Sequence, residues 1–170
     1  MDKSQIDAPI MVRPATISDA AAIAAIYNEG IRSRASTFET RERTIDDIAA
    51  WFKPSPHPIL VAENSENVIG WIAASTYRPR ECYAGVAEFS VYVSYQAHRR
   101  GMGSALMTAF IPACERAGFW KLLSRIFPEN KASLSLCQKH GFREVGNYQK
   151  HAQLEGVWRD VVIVERLLGF

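Results

Sequence analysis

The apolar residues of the chain alternate with polar ones in some stretches and recur at helical spacing in others. Alternating or unbroken apolar runs predict strands, and apolar residues at i, i+3 and i+4 predict amphipathic helices. The expected strands cover residues 11–14, 59–63, 68–76, 86–94, 122–127, 142–148 and 157–168. Two helices are expected to begin after cap residues, one after residues 16–19 and one after Thr44. Two more are expected from Gly101 toward Gly118 and over residues 130–140. Strands 59–63 and 68–76 are joined by a short polar turn, so we expect an antiparallel hairpin.

One proline stands inside a predicted helix. Pro112 lies within the long helix that begins at Gly101. Because proline has no backbone N–H and its ring collides with the carbonyl group four residues earlier, we expect it to bend or interrupt that helix.

Length and composition indicate one folded domain. The 170 residues are 48% hydrophobic and 22% charged, enough to bury a sizeable core. We expect residues 1–10 to form a loose N-terminal segment and residues 11–170 to form the domain. The formal net charge of +2 is too small and too dispersed to indicate a nucleic-acid partner.

The cysteines and the lengths of the apolar runs indicate in which cellular compartment the protein is expected. Cys82, Cys114 and Cys137 are odd in number and lack the spacing of metal ligands, so we expect reduced thiols, no disulfide framework and no metal. No apolar run suits export or approaches membrane-spanning length, which predicts a cytoplasmic protein without a membrane partner.

A basic, glycine-containing turn is the strongest chemical signal. It follows the predicted strand 86–94 and opens directly into a helix, and it comprises His98, Arg99, Arg100, Gly101, Met102, Gly103 and Ser104. Free backbone N–H groups and the positive end of a helix favour phosphate binding there. It lacks the Gly-Lys-Ser/Thr ending of a P-loop and the three glycines of the dinucleotide fingerprint. Taken alone, an ordinary basic surface turn is also compatible with it.

Further segments in order give the turn its context. A basic-x-x-Gly-x-Gly turn, then Asn130-x-x-Ser133-x-x-Leu136, then Gly141-Phe142 before a final pair of strands, resembles the GNAT acetyltransferases. The resemblance implies an α/β (α+β) domain with a mixed, mostly antiparallel central sheet flanked by helices. It also implies acetyl-CoA as the co-substrate.

A narrower resemblance concerns the acceptor. Six ordered segments resemble the GNAT branch that acetylates phosphinothricin, methionine sulfoximine and arsinothricin, and the similarity runs from about Val12 to Leu168. The segments cover residues 25–29, 37–39, 58–62, 77–79, 88–93 and 156–160. This resemblance implies a small amino-acid substrate and a homodimer with substrate sites near its interface.

Glu88 is the candidate general base. Strand alternation places it with Val86, Ser90 and Tyr92 on one face of a mostly apolar strand. Burial raises the pKa of a carboxyl group toward the value that a base needs near neutral pH, and an ammonium must lose a proton before it attacks a thioester. Related enzymes carry a glutamate in the matching segment. The alternative is a structural, ion-paired glutamate on an edge strand.

Other residues are assigned to the co-substrate by the resemblance. The backbone of Val91, Tyr92 and Val93 is expected to pair with the pantetheine arm, and an N–H there to stabilise a developing oxyanion. The side chains of these three are expected to belong to the core. The turn 98–104 is expected to bind the diphosphate. Asn130 and Ser133 are also expected to bind the co-substrate. The alternative role for Asn130 is that of a helix N-cap.

The chain departs from the family pattern at two positions. Cys137 stands where relatives carry a tyrosine or histidine that protonates the departing thiolate. A buried cysteine usually serves packing, so we expect Cys137 to be dispensable. His98 stands where relatives carry Gln or Arg, and it supplies less dependable charge to a phosphate.

The acceptor site is predicted from the loop 77–85, which leads into the strand two residues before Glu88. Arg78 and Arg80 flank Pro79, and guanidinium groups suit a carboxylate, phosphinate or arsinate. Two solvent-facing arginines are the alternative. Tyr77-Arg78-Pro79 resembles the substrate loop of the methionine sulfoximine enzymes, where position 80 is instead apolar. The remaining expected substrate contacts are Phe89, Ser90, Phe38 and Glu39.

These features together predict an acetyl-CoA-dependent N-acetyltransferase. The expected acceptor is the α-amine of a phosphinothricin or arsinothricin type of compound, with resistance as the outcome, because a second arginine favours a more anionic group. Three alternatives remain: a methionine sulfoximine or sulfone acetyltransferase, a protein N-terminal acetyltransferase, and a non-catalytic acyl-CoA sensor.

Overall fold

The computed structural model describes residues 9–169, so eight residues of the predicted N-terminal segment 1–10 lie outside the described part. Strands and helices follow the order expected from the apolar pattern. The helices are α1 (Ala20–Ser33), α2 (Ile45–Ala49), α3 (Met102–Arg116) and α4 (Lys131–Lys139). The strands are β1 (Met11–Pro14), β2 (Ile59–Glu63), β3 (Val68–Thr76), β4 (Val86–Val93), β5 (Lys121–Ile126), β6 (Arg143–Leu154) and β7 (Val157–Leu167).

All seven strands form one sheet in the order β1-β2-β3-β4-β5-β7-β6. The pair β4–β5 is parallel, and the other described pairs are antiparallel. The crossover between the parallel strands contains α3, as a parallel connection requires. The expected mixed, mostly antiparallel sheet flanked by helices is confirmed.

The central pair of strands separates along its length. β4 pairs with β3 from Ala87 to Val93. It pairs with β5 only at Val86, Ala87 and Glu88, opposite Lys121, Leu122 and Leu123. The later residues of β4 therefore present one backbone edge to an open gap, and this gap positions the site described below.

Each face of the sheet carries its own apolar core. The face under α3 and α4 buries residues such as Ile72, Phe89 and Phe110. The opposite face buries Trp71, Ala73 and residues of α1 and α2. Because alternate residues of β3 and β4 enter different cores, alternation decides which side chains can share a site.

Of the two effects expected at Pro112, a bend or an interruption of the helix, the interruption does not occur. α3 continues from Met102 to Arg116 with Pro112 inside it. The proline is exposed, while Leu106, Phe110 and Cys114 on the same helix are fully buried. Packing of the buried side holds both halves of the helix, and water can solvate the carbonyl group that loses its donor.

The last hairpin is longer than its apolar pattern indicates. β6 runs to Leu154 rather than ending at Tyr148, with register shifts near Gly146 and between Tyr148 and Ala152. The two-residue turn before β7 is formed by Glu155 (φ 50°) and Gly156 (φ 80°), a conformation that glycine favours at its second position. β6 therefore forms a long edge of the sheet.

Candidate active site

The basic turn joins β4 to the start of α3, as expected. Arg99 (φ 62°) and Gly101 (φ 76°) have left-handed backbone conformations, which turn the chain sharply into the helix. The first helical hydrogen bond runs from the Ala105 N–H to the Gly101 carbonyl oxygen at 3.0 Å. The N–H groups of Met102, Gly103 and Ser104 are therefore first-turn donors without a helical acceptor, which is what an anion requires.

Charge in the turn is available to a ligand. Arg99 and Arg100 are exposed, and neither forms an ion pair within residues 9–169. The His98 ring instead turns back onto the strand, with Nε2 2.8 Å from the Val93 carbonyl oxygen. The structure thus gives His98 a contact that fixes the turn and occupies one backbone acceptor of β4.

α4 lies beside the start of α3. A side chain at Gly103 would come within 3.1 Å of Leu136 on α4, and Ser104 Oγ is 2.8 Å from His140 Nε2. Asn130 caps α4, because its Oδ1 accepts a hydrogen bond from the Ser133 N–H at 3.2 Å. The cap uses one end of the Asn130 amide and leaves its NH₂ group as a donor.

The open edge of β4 suits a chain of amide groups. Among residues 9–169, no strand pairs with Phe89 and the following residues of β4 on the β5 side. Ser124 of β5 reaches into the start of the gap, where its Oγ donates to the Phe89 carbonyl oxygen at 3.0 Å. A strand edge with free N–H and C=O groups, ending at an anion-binding turn, fits the pantetheine and diphosphate of the acetyl-CoA that the resemblance implies.

Glu88 lies where the gap opens and forms an ion pair with Arg125 of β5. Arg125 Nη2 is 2.7 Å from Oε1 and 2.6 Å from Oε2 of Glu88. The Glu88 side chain is 19% exposed and that of Arg125 is 49% exposed. β4 is an interior strand. The structure therefore contains the ion pair that was expected for a purely structural glutamate, but Glu88 does not lie on an edge strand.

Two neighbouring cavities lie beside β4, and Glu88 itself lines neither of them. The larger, about 420 Å³, is lined by residues including Tyr27, Trp51, Trp71 and Ser90. The smaller, about 260 Å³, is lined by Arg78, Pro79, Arg80, Tyr83 and Val86 among others. Glu88 stands between Val86 and Ser90 on the same face of β4. The Glu88 carboxylate is held toward β5 by Arg125, next to the strand residues that line the two cavities.

The predicted arginine loop is held by aromatic rings. The Arg78 guanidinium lies 5.0 Å from the centre of the Tyr77 ring, and that of Arg80 lies 5.9 Å from the Tyr83 ring. Tyr77 and Tyr83 meet edge to face at 5.5 Å. The Tyr77 hydroxyl, and more weakly Tyr83 and Glu88, raise the pKa of Arg78. Both arginines are exposed beside the smaller cavity, so their charges are open to an anion.

An aromatic cluster forms the floor of the larger cavity. The Tyr92 and Trp71 rings stack at 5.0 Å, and Tyr27 contacts both. Burial, and secondarily the neighbouring Tyr27, raises the pKa of Tyr92 to about 12, so its hydroxyl stays protonated. Gly30 allows α1 to approach, since a side chain there would come within 2.4 Å of the Tyr92 ring.

Phe38 and Glu39 line neither described cavity, and the prediction for the Phe89 side chain is wrong. Phe38 packs edge to face on Phe127 at 4.9 Å, and Glu39 forms an ion pair with Arg43 at 2.7 Å. Phe89 is buried under α3 against Phe110 and Phe142, on the face opposite Glu88. Its side chain cannot line the acceptor site, because adjacent strand residues point to opposite faces.

Cys137 is a core residue. It is 2% exposed in the cluster under α3 and α4, and burial raises the pKa of its thiol to about 12. Such a thiol gives up its proton reluctantly, which agrees with the expectation that Cys137 is dispensable.

Sequence reasoning missed several residues that line this region. Arg125 was the most important, although alternation in β5 marks it as a polar residue beside Leu123 and Phe127. Trp71 and His57 were also missed: Trp71 looks like an ordinary core residue, and His57 follows an irregular proline-rich segment. His57 borders both cavities, and burial lowers its pKa.

Two kinds of feature are absent from residues 9–169. None of the described helices is long and apolar enough to cross a membrane. The same part of the chain contains no cluster of three or more His, Cys, Asp or Glu side chains that could hold a metal ion.

Comparison with known proteins gives consistent matches. The sequence model described as acetyltransferase (GNAT) family matches residues 23–142. A phosphinothricin N-acetyltransferase of Streptomyces coelicolor is 30% identical over 95% of this chain and 98% of its own length. An L-methionine sulfoximine/L-methionine sulfone acetyltransferase of Pseudomonas paraeruginosa is 28% identical over 91% of this chain and 92% of its own.

A solved structure matches the fold closely. The GNAT superfamily phosphinothricin acetyltransferase of Sinorhizobium meliloti, in complex with AcCoA, superimposes with a TM-score of 0.88. It is 28% identical in sequence, and the match covers 94% of this chain and 89% of that one. The shared fold includes the sheet and helices that frame the gap.

Proposed function

Because the chain belongs to the GNAT acetyltransferase family, and is an N-acetyltransferase that uses acetyl-CoA, we propose that it acetylates the α-amine of a small anionic amino-acid analogue. The proposed acceptors are of the phosphinothricin or arsinothricin type, and acetylation confers resistance by removing the free amine. The observation that carries this proposal is the position of Glu88 between an open strand edge and two exposed arginines.

The chain's own residues account for the roles that the reaction needs. Acetyl-CoA, when bound, supplies an activated acetyl thioester. The turn at 98–104 and the first turn of α3 would hold its diphosphate, with Arg99 and Arg100 adding charge. The backbone of Val91, Tyr92 and Val93, with Asn130 and Ser133 on α4, would hold the arm. The Val93 carbonyl group is held by His98 and the Phe89 carbonyl group by Ser124, so the N–H and C=O groups of residues 90–92 that face the gap remain for this purpose.

Glu88 would take the proton from the acceptor's ammonium group. Direct attack on a thioester requires a neutral amine, and general-base catalysis typically contributes about 10²- to 10⁴-fold. Its place beside the gap brings the base to the point where the amine and the thioester would meet. The nearby arginines would hold the acid groups of the acceptor and keep its amine in place.

Two observations support an anionic amino acid over the rivals. A peptide substrate needs an open groove, whereas the described cavities are bounded by the arginine loop and by an aromatic cluster. A non-catalytic acyl-CoA sensor needs no general base, so it does not require a carboxylate at the gap. The sulfoximine alternative is supported by a relative at 28% identity that is named for that activity.

The proposal is tested by identifying the product. The purified protein is incubated with acetyl-CoA and, in parallel reactions, with phosphinothricin, arsinothricin or a short peptide, and each product is analysed by mass spectrometry and NMR. We expect one acetyl group on the α-nitrogen. Recovery of unmodified phosphinothricin and arsinothricin, with acetyl transfer to a peptide N-terminus instead, would exclude the proposed acceptor class.

Removing the charges of the turn is expected to weaken co-substrate binding. In R99Q/R100Q the dissociation constant for acetyl-CoA should rise about 10- to 100-fold, because two charge-assisted contacts to phosphate are lost. Isothermal titration calorimetry measures this constant. The matched control R116Q/R143Q removes the same charge elsewhere and should bind as the wild type does. Equal weakening in both variants would attribute the effect to net charge alone.

We also propose a homodimer formed through the β6–β7 hairpin. β6 is an unpaired sheet edge, and the hairpin exposes Val145, Tyr148, Val157 and Trp158, of which Val157 is 62% and Trp158 54% exposed. Exposed apolar groups beside a free strand edge suit a second copy of the chain. Sedimentation velocity should show twice the chain mass for the wild type and a monomer for Y148D/W158D. A monomeric wild type at micromolar concentration would contradict this.

The cytoplasmic location stays a proposal. It is supported by the cysteines, since Cys82, Cys114 and Cys137 are all free, as in a reducing compartment.

A further inference from the structure

We propose that Arg125 binds the α-carboxylate of the acceptor and, by doing so, releases Glu88 to act as the base. This inference rests on the proposed function and adds a specificity-determining residue to it. In the free enzyme Arg125 holds Glu88; in the complex Arg125 exchanges that carboxylate for the substrate's own.

The ion pair is built so that one partner faces the solvent. A single nitrogen, Arg125 Nη2, contacts both Glu88 oxygens, at 2.6 and 2.7 Å. Within residues 9–169, Arg125 Nη1 and Nε donate no hydrogen bond. The arginine is 49% exposed, whereas the glutamate is 19% exposed. An incoming anion therefore meets free guanidinium donors before it meets Glu88.

The contact must loosen for the base to work. Protonating Glu88 while Arg125 still holds it would leave the guanidinium without its counter-charge. A substrate carboxylate solves this, because it gives Arg125 a new partner at the moment when Glu88 is needed. In the proposed step, one N–H bond of the acceptor's ammonium group breaks, the electron pair stays on nitrogen, and the proton forms an O–H bond on Glu88.

Position selects which acid group Arg125 receives. Glu88 must contact the amine, and Arg125 is in contact with Glu88. The α-carboxylate is attached to the same carbon atom as the amine, so it is the acid group nearest to that nitrogen. Arg78 and Arg80 lie on the loop at the smaller cavity, and they are left for the acid group at the far end of the side chain.

A second ion pair in the same sheet provides a matched control. Arg143 of β6 contacts Glu165 of β7, with Nη2 2.7 Å from Oε2. There too the arginine is exposed (69%) and the glutamate is largely covered (16%). Arg143 lies on the edge strand β6, three strands away from β4 in the sheet. R143Q therefore removes a similar ion pair without touching the proposed exchange.

The test compares two acceptors that differ only in the α-carboxylate: phosphinothricin and its decarboxylated amine. In R125Q, kcat/KM for phosphinothricin should fall about 10- to 100-fold, because a charge-assisted contact is lost. The kcat for the decarboxylated amine should instead rise about two- to fivefold, because Glu88 is no longer held by a partly exposed ion pair. R125K should recover part of the loss, and R143Q should match the wild type with both amines.

The outcomes separate this inference from the proposed function. If the wild type acetylates neither amine, the proposed function fails and the inference falls with it. If the wild type acetylates phosphinothricin and R125Q loses rate equally with both amines, Arg125 is only structural and the inference alone is overturned. Thermal melting of R125Q and R125K confirms that each variant is folded.

Discussion

E88Q should lower kcat for acetyl transfer about 100- to 10,000-fold, the range of a lost general base. The glutamine keeps the shape and two hydrogen-bonding atoms of Glu88 but cannot accept the proton of the ammonium group. The dissociation constant for acetyl-CoA should stay within about twofold of the wild type, because the proposed co-substrate contacts lie in the turn and along β4. Steady-state kinetics and calorimetry measure the two quantities.

The pH dependence gives a second readout for the same variant. A base that must be ionised makes the rate rise with pH, and the residual E88Q rate should instead follow the fraction of acceptor that is already a neutral amine. E165Q is the matched control, since Glu165 is similarly covered and is also held by an exposed arginine. An E88Q enzyme with the rate and pH profile of the wild type would remove Glu88 from the mechanism.

Removing both loop arginines should give the second large effect. In R78Q/R80Q, kcat/KM for phosphinothricin should fall about 100- to 1,000-fold, because two charge-assisted contacts to its acid group are lost. With methionine sulfoximine, which carries no second acid group, the decrease should be about tenfold or less. Kinetics with both acceptors separate a specific contact from general damage.

The control for the loop variant has the same loss of charge. R116Q/R143Q removes two exposed arginines from sites outside both cavities. If it reduced activity as much as R78Q/R80Q, long-range attraction of an anionic substrate would explain the result. If R78Q/R80Q lost equal activity toward both acceptors, Arg78 and Arg80 would not be the residues that recognise the second acid group.

Local signals in the sequence were enough for the turn and for most elements. The left-handed Gly101, the caps at Thr44 and Asn130, and the apolar alternation of β4 each depend on a few neighbouring residues. The end of β6 was missed because its last residues are polar and irregular, with Lys150 in a left-handed conformation. Pro112 was tolerated because its helix is held by the side that faces the core.

Features that depend on distant strands could not be predicted from local pattern. The partner of Glu88 is Arg125, 37 residues away, and their contact depends on the parallel register of β4 and β5. The pairing of β4 with β5 ends at Glu88, and the gap between the two strands begins there. Phe89 was misplaced for a different reason: it was assigned with its chain neighbour Glu88, although alternation puts the two side chains on opposite faces.

Under the proposed function, this acetyltransferase acts on small anionic amino-acid analogues. The most direct measurement is the rate of free-thiol release from acetyl-CoA with phosphinothricin, arsinothricin, methionine sulfoximine, spermidine and a short peptide in parallel. We expect the highest kcat/KM for phosphinothricin or arsinothricin, a lower value for methionine sulfoximine, and background rates for spermidine and the peptide. Thiol release that is fastest with the peptide or spermidine, or absent with all three amino-acid analogues, would contradict the claim.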